Sequence, residues 1–149
     1  MNEGGIRVPT IAIWPKVITP GSKSSHPSTF YDYLTTISDI VGEPLPYKTD
    51  GISFLPTLKG ESQIEHKYLY WEFPSYGGQQ AIRINEWKGI KKGLFKGSSK
   101  LKLYDLSVDS RELNDVASKH PDIVTKMEKM MKEAHKTPTM DIFKIPVLE

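Results

Sequence analysis

The sequence contains no cysteine. This absence excludes disulfide bonds, thiol nucleophiles and zinc sites built on cysteine. Long apolar runs are also missing, since no stretch approaches the about 20 apolar residues that span a bilayer. No basic segment followed by an apolar one opens the chain; if the parent protein is exported, its signal is expected upstream of Met1. We therefore expect no membrane partner for this chain.

The charge of the chain has little excess of either sign. Twenty Lys and Arg residues stand against 18 Asp and Glu residues, which gives a formal net charge of +2. So small an excess, with the basic residues scattered, predicts no strong field toward nucleic acid. A hydrophobic fraction of 38% over 149 residues is typical of a globular chain that buries a core of its own.

The first part of the chain predicts one strand and one helix. Thr10–Trp14 is an apolar run that Pro15 ends, which predicts a short buried strand. Thr29 and Asp32 form a capping-box pattern, and Gly42 is a favourable stop, so the spacing predicts a helix between them. We expect loop from Glu43 to Ser62. The apolar face of the helix consists of residues at helical spacing: Phe30, Tyr33, Leu34, Ile37, Ile40 and Val41.

The pattern after Tyr68 is that of strands followed by a helix. Tyr68–Phe73 is rich in aromatic residues, which favours a strand. Two further predicted strands, Ala81–Ile84 and Trp87–Ile90, flank a two-residue turn. Lys100–Tyr104 alternates between polar and apolar residues, as a half-exposed strand does. Pro121–Lys136 has the spacing of a helix with a methionine-rich core face. The buried stripe predicted for that helix consists of Ile123, Met127, Met130 and Ala134.

These elements together predict an α+β fold. Four antiparallel strands pack with a C-terminal helix, and the preceding strand and helix are expected to be left over from a larger α/β domain. The ranges predicted for the two parts are 1–60 and 61–149.

No residue pattern in the chain indicates a catalytic centre or a metal site. The four histidines share no ligand spacing, and each is expected to be a surface residue: His26, His66, His120 and His135. Neither a nucleophile elbow nor a phosphate-binding glycine loop is present. We therefore assign no catalytic residue and no metal ligand to this chain.

Four segments, taken in order, are similar to those of the alkaline-phosphatase-like sulfatases. The first is Glu3-Gly4-Gly5-x-Arg7-x-Pro9 followed by Trp14-Pro15, and the second is the helix that contains Asp32. The third is Asp50-Gly51-Ile52-Ser53, and the fourth is Leu103-Tyr104-Asp105-Leu106 with Asp109, Glu112 and Asn114. Ser110 stands where the last pattern usually has proline. We expect most of these residues to be structural: a close turn at Gly4 and Gly5, an ion pair of Arg7 with Glu3 or with a carboxylate of the whole protein, and turn caps at Asp105 and Asn114.

The resemblance implies a parent enzyme that cleaves a sulfate ester with a formylglycine residue and calcium. The formylglycine comes from Cys or Ser in a Cys/Ser-x-Pro-x-Arg sequence, and the metal is held by aspartates in earlier segments. The nearest match here is Ser25–Thr29, where Thr29 replaces the arginine, and we regard it as a coincidence. The family's sulfate-holding lysine lies a few residues before Glu-Gly-Gly. We therefore expect this chain alone to be inactive and to hold no cofactor.

The resemblance also implies that the small C-terminal sheet shapes the rim of the substrate cleft. The candidate residues lie in and beside the loop from Pro74 to Gln80. Tyr76 would stack on a sugar, Gln79 and Gln80 would bind hydroxyl groups, and Glu72 and Arg83 would meet charged substituents. The alternative left open is a plain hairpin connection with an interstrand Glu72–Arg83 ion pair.

Three functional hypotheses follow from the sequence. The chain is the C-terminal part of a sulfatase, or a binding or assembly module derived from one, or part of a related phosphoesterase or phosphonate hydrolase. The partners expected are an N-terminal catalytic domain of the same protein and a sulfated carbohydrate or aryl sulfate. The parent is expected to work in the periplasm, as a secreted protein or in a lysosome-like compartment. Without its partner domain, the chain is expected to self-associate through exposed apolar surface.

Overall fold

The computed structural model describes residues 1–98 and 100–149, which divide into two compact units. The sheet unit comprises Met1–Val8 and Tyr68–Glu149, and the helical unit comprises Pro9–Lys67. The helical unit contains α2 (Phe30–Val41) and α3 (Leu55–Lys59). The sheet unit contains α1 (Glu3–Ile6), β1 (Leu69–Phe73), β2 (Gln79–Ile84), β3 (Trp87–Lys92), β4 (Lys102–Asp105), α4 (Pro121–Ala134) and the 3-10 turns Leu94–Lys96, Ala117–Lys119 and Asp141–Phe143.

The sheet is an antiparallel meander in which the strands follow one another in the order β1-β2-β3-β4. Ile84 pairs with Trp87, so Asn85 and Glu86 form the two-residue turn that the sequence predicted. Asn85 has a φ of 52°, the left-handed conformation that asparagine tolerates in such turns. The predicted α+β fold, four antiparallel strands with a C-terminal helix, is confirmed.

Helix α4 covers one face of the sheet through its methionines. Met127 and Met131 are almost fully buried against Ile82 and Leu103. Of the predicted stripe, Ile123 and Met130 pack only at the edge of this core, and Met131 belongs to it although the prediction left it out. Gly89 on β3 allows the close approach, since a Cβ atom there would lie 2.9 Å from the Met127 sulfur.

The N-terminal segment covers the opposite face of the sheet. Met1 packs on a cluster formed by Ala81, Ile90 and Tyr104. The predicted turn at Gly4 and Gly5 is in fact part of the short helix α1. Residues 1–8 thus fold with the sheet, whereas the sequence grouped them with residues up to 60; the assignment of 1–60 and 61–149 to two domains of a parent protein stays a prediction.

A buried ion cluster joins α1 to the sheet. The Lys88 side chain on β3 has no exposed surface, and its Nζ lies 2.6 Å from Glu3 Oε1 and 3.1 Å from Glu112 Oε1. The second oxygen of Glu112 accepts a 2.8 Å hydrogen bond from the Glu3 backbone N–H. Arg7 donates its backbone N–H to the carbonyl oxygen of Glu3. The side chain of Glu3 forms its ion pair with Lys88, in place of the predicted pair with Arg7.

The turn after β4 is fixed by aspartates of the fourth motif. Asp105 Oδ1 accepts hydrogen bonds from the Ser107 N–H at 3.0 Å and from its hydroxyl, as a turn cap does. Asp109 accepts the N–H groups of Leu113 and Asn114. Asp105 therefore has the predicted capping role, whereas Asn114 is a donor to the cap that Asp109 provides.

Asp32 organises the helical unit. The predicted capping box is present, with Thr29 N–H donating to Asp32 Oδ2 at 2.8 Å, and Gly42 ends α2 at a φ of 75°. Asp32 Oδ1 accepts the Ile52 N–H at 2.9 Å and lies 2.7 Å from His66 Nε2. The Asp32 side chain is 1% exposed. One carboxylate therefore connects the start of α2 with two distant loop segments.

Gly51 is required by the backbone that passes beside it. A Cβ atom at this position would lie 2.2 Å from the carbonyl oxygen of Tyr31. Ser53 accepts a 3.3 Å hydrogen bond from the Leu55 N–H, the local role predicted for it. The predicted loop after Gly51 nonetheless contains helix α3, which has Pro56 in its first turn and ends at Gly60.

The predicted strand at Thr10–Trp14 is wrong. The segment forms neither helix nor strand and has no strand partner among the described residues, and Ile11 and Ile13 are 88% and 86% exposed. An extended segment becomes a strand only when a neighbour supplies its hydrogen bonds. The apolar face of α2 is exposed as well: its side chains, 36–76% exposed, are Phe30, Tyr33, Leu34, Ile37, Ile40 and Val41.

Within the part of the chain that the structure describes, no helix has the length and apolar character needed to cross a bilayer.

We predict that Lys88→Met destabilises the sheet unit by about 3–5 kcal/mol, because two buried carboxylates lose their cation. Lys102→Met on the neighbouring strand is the control, since Lys102 is exposed and its loss is expected to cost under about 0.5 kcal/mol. Urea unfolding followed by hydrogen exchange in β3 measures both. Equal unfolding midpoints for the two variants would contradict the importance of the cluster.

We predict that Asp32→Asn destabilises the helical unit by about 1–3 kcal/mol and removes its acid sensitivity. Burial raises the pKa of Asp32, but the hydrogen bonds from His66 and from the Ile52 and Thr29 amides outweigh it and hold this pKa below its ordinary value of 3.8. The stabilisation is therefore complete above that value and is lost as pH falls through the lower pKa of the folded state. Asp39→Asn, at an exposed position one helical repeat after Asp32, is the control.

Hydrogen exchange of α2 peptides between pH 3 and 7, with each rate corrected for its intrinsic pH dependence, measures this effect. A variant Asp32→Asn with wild-type protection and wild-type acid sensitivity would refute it.

Candidate functional site

The five predicted rim residues lie on the β1–β2 hairpin, but the strand register separates them. Glu72 pairs with Gln80, and both face α4, whereas Gln79 pairs with Phe73 and faces the other side. Arg83 pairs with Leu69, which is four ladder positions, or about 14 Å, from the Phe73–Gln79 pair. The structure therefore brings Glu72 and Gln80 together and does not bring all five residues to one point.

Glu72 and Gln80 belong to a hydrogen-bond network between β1 and the end of α4. Tyr70 donates its hydroxyl to Glu72, and Gln80 Nε2 donates to the Tyr70 oxygen at 2.6 Å. His135 Nδ1 lies 2.7 Å from Glu72 Oε1. Burial and the hydrogen bond to Glu72 raise the pKa of Tyr70 well above its ordinary value. With Gln80 only 2% exposed, this network holds the hairpin on α4 and leaves little of these groups for a ligand.

The interstrand Glu72–Arg83 pair, which was the alternative for this hairpin, is wrong. The two residues lie on opposite faces of the sheet and three residue positions apart in the register. Arg83 Nε donates to the Asn85 carbonyl oxygen at 2.8 Å, and its terminal nitrogens lie 3.7 Å from Glu86 and 3.9 Å from Glu3. Arg83 thus reinforces the turn at the far end of the hairpin, with 22% of its side chain exposed.

Tyr76 is the most exposed of the predicted rim residues. It is 87% exposed and stacks on Phe73, with ring centroids 6.0 Å apart and an angle of 29° between the planes. Its φ of 53° lies in the left-handed region, which costs a residue with a side chain roughly 1 kcal/mol. Gly77 and Gly78 continue the loop at φ values of 81° and 75°.

Backbone contacts fix this loop against the turn after β3. Leu94 N–H donates to the Gly78 oxygen at 3.2 Å, and Phe95 N–H donates to the Gly77 oxygen at 3.0 Å. A Cβ atom at Gly78 would lie 3.1 Å from the Leu94 side chain and 3.4 Å from that of Ile145. The loop is therefore a built part of the sheet unit and not a free hairpin tip.

Polar contacts hold the N-terminal residues at the loop end of the sheet, on the face opposite α4. The Met1 amine donates to Gln79 Oε1 at 2.9 Å, and Lys92, which pairs with Gln79 in the ladder, donates to the Asn2 side chain. No local sequence pattern indicated that Phe73 and Lys92 flank Gln79, because their positions follow from the register of three strands, which depends on the loop lengths.

The prediction that every histidine is a surface residue is wrong for two of the four. The side chains of His66 and His135 are 10% and 12% exposed, and each contacts a carboxylate at 2.7 Å. His120 packs on Trp87 with ring centroids 4.8 Å apart. Their carboxylate partners are 34 and 63 residues away in sequence, so no local spacing indicated the pairs.

The described residues do not fit a calcium centre. No group of three or more histidine, aspartate, glutamate or cysteine side chains comes close enough together in this part of the chain to hold a metal ion. A calcium site needs six or more oxygen ligands rich in carboxylate. No step of a metal-assisted reaction can therefore be assigned to these residues.

Comparison with known proteins connects this structure to the sulfatases. Residues 1–137 match the family model described as N-sulphoglucosamine sulphohydrolase, C-terminal. Human arylsulfatase K is 32% identical over 142 residues, which cover 88% of this chain and 26% of that protein. The ulvan-active sulfatase of Formosa agariphila is 44% identical over 70 residues, which cover 47% of this chain and 14% of the relative. The chain thus spans about a seventh to a quarter of the length of these proteins.

Solved structures share the same fold. BT4656, in complex with its substrate D-glucosamine-2-N,6-O-disulfate, superposes with a TM-score of 0.68 at 24% identity, over 80% of this chain and 26% of that one. BT1596, a 2-O GAG sulfatase, superposes with a TM-score of 0.59 at 27% identity, over 68% and 23%. The phosphonate monoester hydrolase of Agrobacterium radiobacter, at 22% identity and a TM-score of 0.55 over 70% and 24%, shares the fold alone. Because the family model covers residues 1–137, the chain belongs to the sulfatase family and corresponds to its C-terminal domain.

Proposed function

We propose that the whole protein is a sulfuric ester hydrolase that acts on a sulfated carbohydrate, and that this chain is its C-terminal part. The observation that carries the proposal is the match of residues 1–137 to a sulfatase C-terminal model, joined to full-length relatives that are sulfatases. The family resemblance supports a parent that works outside the cytoplasm, in the periplasm, after secretion or in a lysosome-like compartment.

The chemistry of this proposal lies in an N-terminal catalytic domain. By the resemblance, that domain supplies the formylglycine nucleophile and the calcium ion that stabilises the sulfate charge. The residues described here provide neither, since the sequence contains no cysteine and no Ser-x-Pro-x-Arg sequence, and its described side chains form no metal cluster. This chain contributes a scaffold and one rim of the substrate cleft.

The position of Met1 supports the loop from Pro74 to Gln80 as that rim. The family's sulfate-holding lysine lies a few residues before the Glu-Gly-Gly segment, and Met1 contacts Gln79 at 2.9 Å. Residues leading into Glu3 therefore run at the loop end of the sheet. Tyr76 and Gln79 are then the rim residues nearest the reacting centre, and Arg83 lies at the other end of the hairpin. Glu72 and Gln80 support the loop from the face of the sheet that α4 covers.

We expect the purified 149-residue chain to release no sulfate, and the whole protein to release it from sulfated sugars. Sulfate is measured by ion chromatography, and the modified Cys or Ser by mass spectrometry of the catalytic domain. Matched phosphate and phosphonate esters are the control substrates, because phosphonate hydrolases share this fold. Sulfate release by the chain alone, free of contaminating enzyme, would overturn the proposal that the catalytic residues lie in the N-terminal domain.

The alternative is a binding module without catalysis. It expects the whole protein to lack the modified nucleophile while the chain binds sulfated glycans, which calorimetry measures.

We also propose that the apolar face of α2 packs on the catalytic domain. Six apolar side chains on one helical face are exposed, and a patch of this kind is typical of an interaction surface. When that domain is absent, a second copy of the chain is the available apolar partner.

We therefore predict that the isolated chain self-associates, and that Leu34→Glu with Ile37→Glu makes it monomeric. Asp39→Lys on the polar side of α2 is the control and is expected to leave the assembly unchanged. Sedimentation velocity over a concentration series measures the outcome. A wild-type chain that sediments as a monomer at every concentration would count against the proposal.

A further inference from the structure

We propose that residues 135–149, called the strap below, fix the loop from Pro74 to Gln80 in one conformation, and that release of the strap mobilises this loop. Most of the strap lies beyond residue 137, where the match to the family model ends. The proposal therefore does not follow from membership of the family. It also does not depend on the rim role of the loop, because it concerns only what holds the loop in place.

The strap is anchored by one apolar side chain. Ile145 is 1% exposed, although it lies in a segment whose other apolar side chains are largely exposed. Burial of a single isoleucine among exposed neighbours indicates that Ile145 is the residue that attaches the segment to the sheet unit. The neighbours that are 46–75% exposed are Met140, Ile142, Phe143 and Val147.

The anchor lies directly against the loop. A Cβ atom at Gly78 would lie 3.4 Å from Ile145 Cγ2 and 3.1 Å from Leu94 Cβ, so the loop backbone meets both side chains at this point. Leu94 is 2% exposed, and its N–H donates to the Gly78 oxygen at 3.2 Å. Removal of the Ile145 side chain would leave a cavity beside this hydrogen bond and expose it to water.

The two ends of the strap meet at the end of α4. His135 Nδ1 lies 2.7 Å from Glu72 Oε1 on β1, and His135 Nε2 lies 4.0 Å from Glu149 Oε1. A surface loop of about 6–16 residues whose ends lie close together is an Ω-loop, a class that is frequently functional. The contacts at Glu72 and at Gly78 lie on the two sides of the tip of the β1–β2 hairpin, so the strap holds both arms of the loop.

The strap is suited to open while the sheet stays folded. Segments with few buried apolar contacts open at a lower free energy than the core, and Ile145 is the buried apolar side chain of this segment. Once Ile145 leaves its place, the loop loses the packing at Gly78 that supports its backbone hydrogen bonds to Leu94 and Phe95. Opening of the strap is therefore expected to free the loop without unfolding the strands.

Hydrogen exchange of the 149-residue chain, detected by NMR for single amides, tests the strap with Ile145→Ala. We expect the Leu94 and Phe95 amides, which donate to the loop, to exchange about 10-fold faster or more. The amides of β3 and β4 report opening of the sheet and should stay within about 2-fold of the wild-type rates. Ile142→Ala, the same change in the same segment at a side chain that is 75% exposed, should leave all these rates within about 2-fold.

Ile145→Val keeps the test valid where the alanine variant fails to fold. It removes one methylene group from the anchor, and we expect it to accelerate exchange of the Leu94 and Phe95 amides by about 2- to 10-fold.

Two results would disprove the strap. One is exchange of the Leu94 amide at the same rate in the Ile145 variants and in Ile142→Ala. The other is equal acceleration throughout β2, β3 and β4, which would show that Ile145 supports the whole sheet and not the loop. Neither result bears on sulfate release by the whole protein, so failure of the strap is distinguishable from failure of the hydrolase proposal.

Discussion

A fully buried ammonium group is the constraint on which the sheet unit depends. Lys88 has no exposed surface, and a charge removed from water is tolerated only beside opposite charges that satisfy it. Glu3 and Glu112 supply them from two segments that are more than a hundred residues apart in sequence. Glu3 and Glu112 lie in two of the segments by which the chain resembles the sulfatases, so one ion cluster joins these two segments. These glutamates have a structural role, because their contacts with Lys88 hold the N-terminal segment on the sheet.

The sequence predicted correctly those elements whose caps and turns lie within the element itself. Helix α2 has its cap at Thr29 and its stop at Gly42, and the β2–β3 hairpin has its turn at Asn85. The Thr10–Trp14 strand failed because its pattern describes a segment that needs a partner, and the described residues offer none. Helix α3 was missed because five residues are too few for periodicity to show.

The candidate site shows the same division between local and distant causes. Tyr76 was identified from a glycine-rich loop, and the structure leaves it exposed on that loop. Gln80 and Glu72 looked equally available in sequence, but Tyr70 and His135 occupy them. Which side of a strand is free depends on what packs over it, and α4 lies about 50 residues further along the chain. The exposed loop was therefore predictable as a segment, but which of its neighbouring side chains are free was not, and the rim role stays a prediction.

The division of the sheet unit into residues 1–8 and 68–149 has a consequence for how the protein folds on the ribosome. Glu3 leaves the ribosome before its partner Glu112, which is synthesised 109 residues later. Closing so long a loop costs entropy that only the completed cluster offsets, so this contact is expected to form late. During that interval the N-terminal segment has no place on the sheet, whereas α2 with its cap is already complete. The sheet unit is therefore completed only after the helical unit, although its residues 1–8 are synthesised before the helical unit.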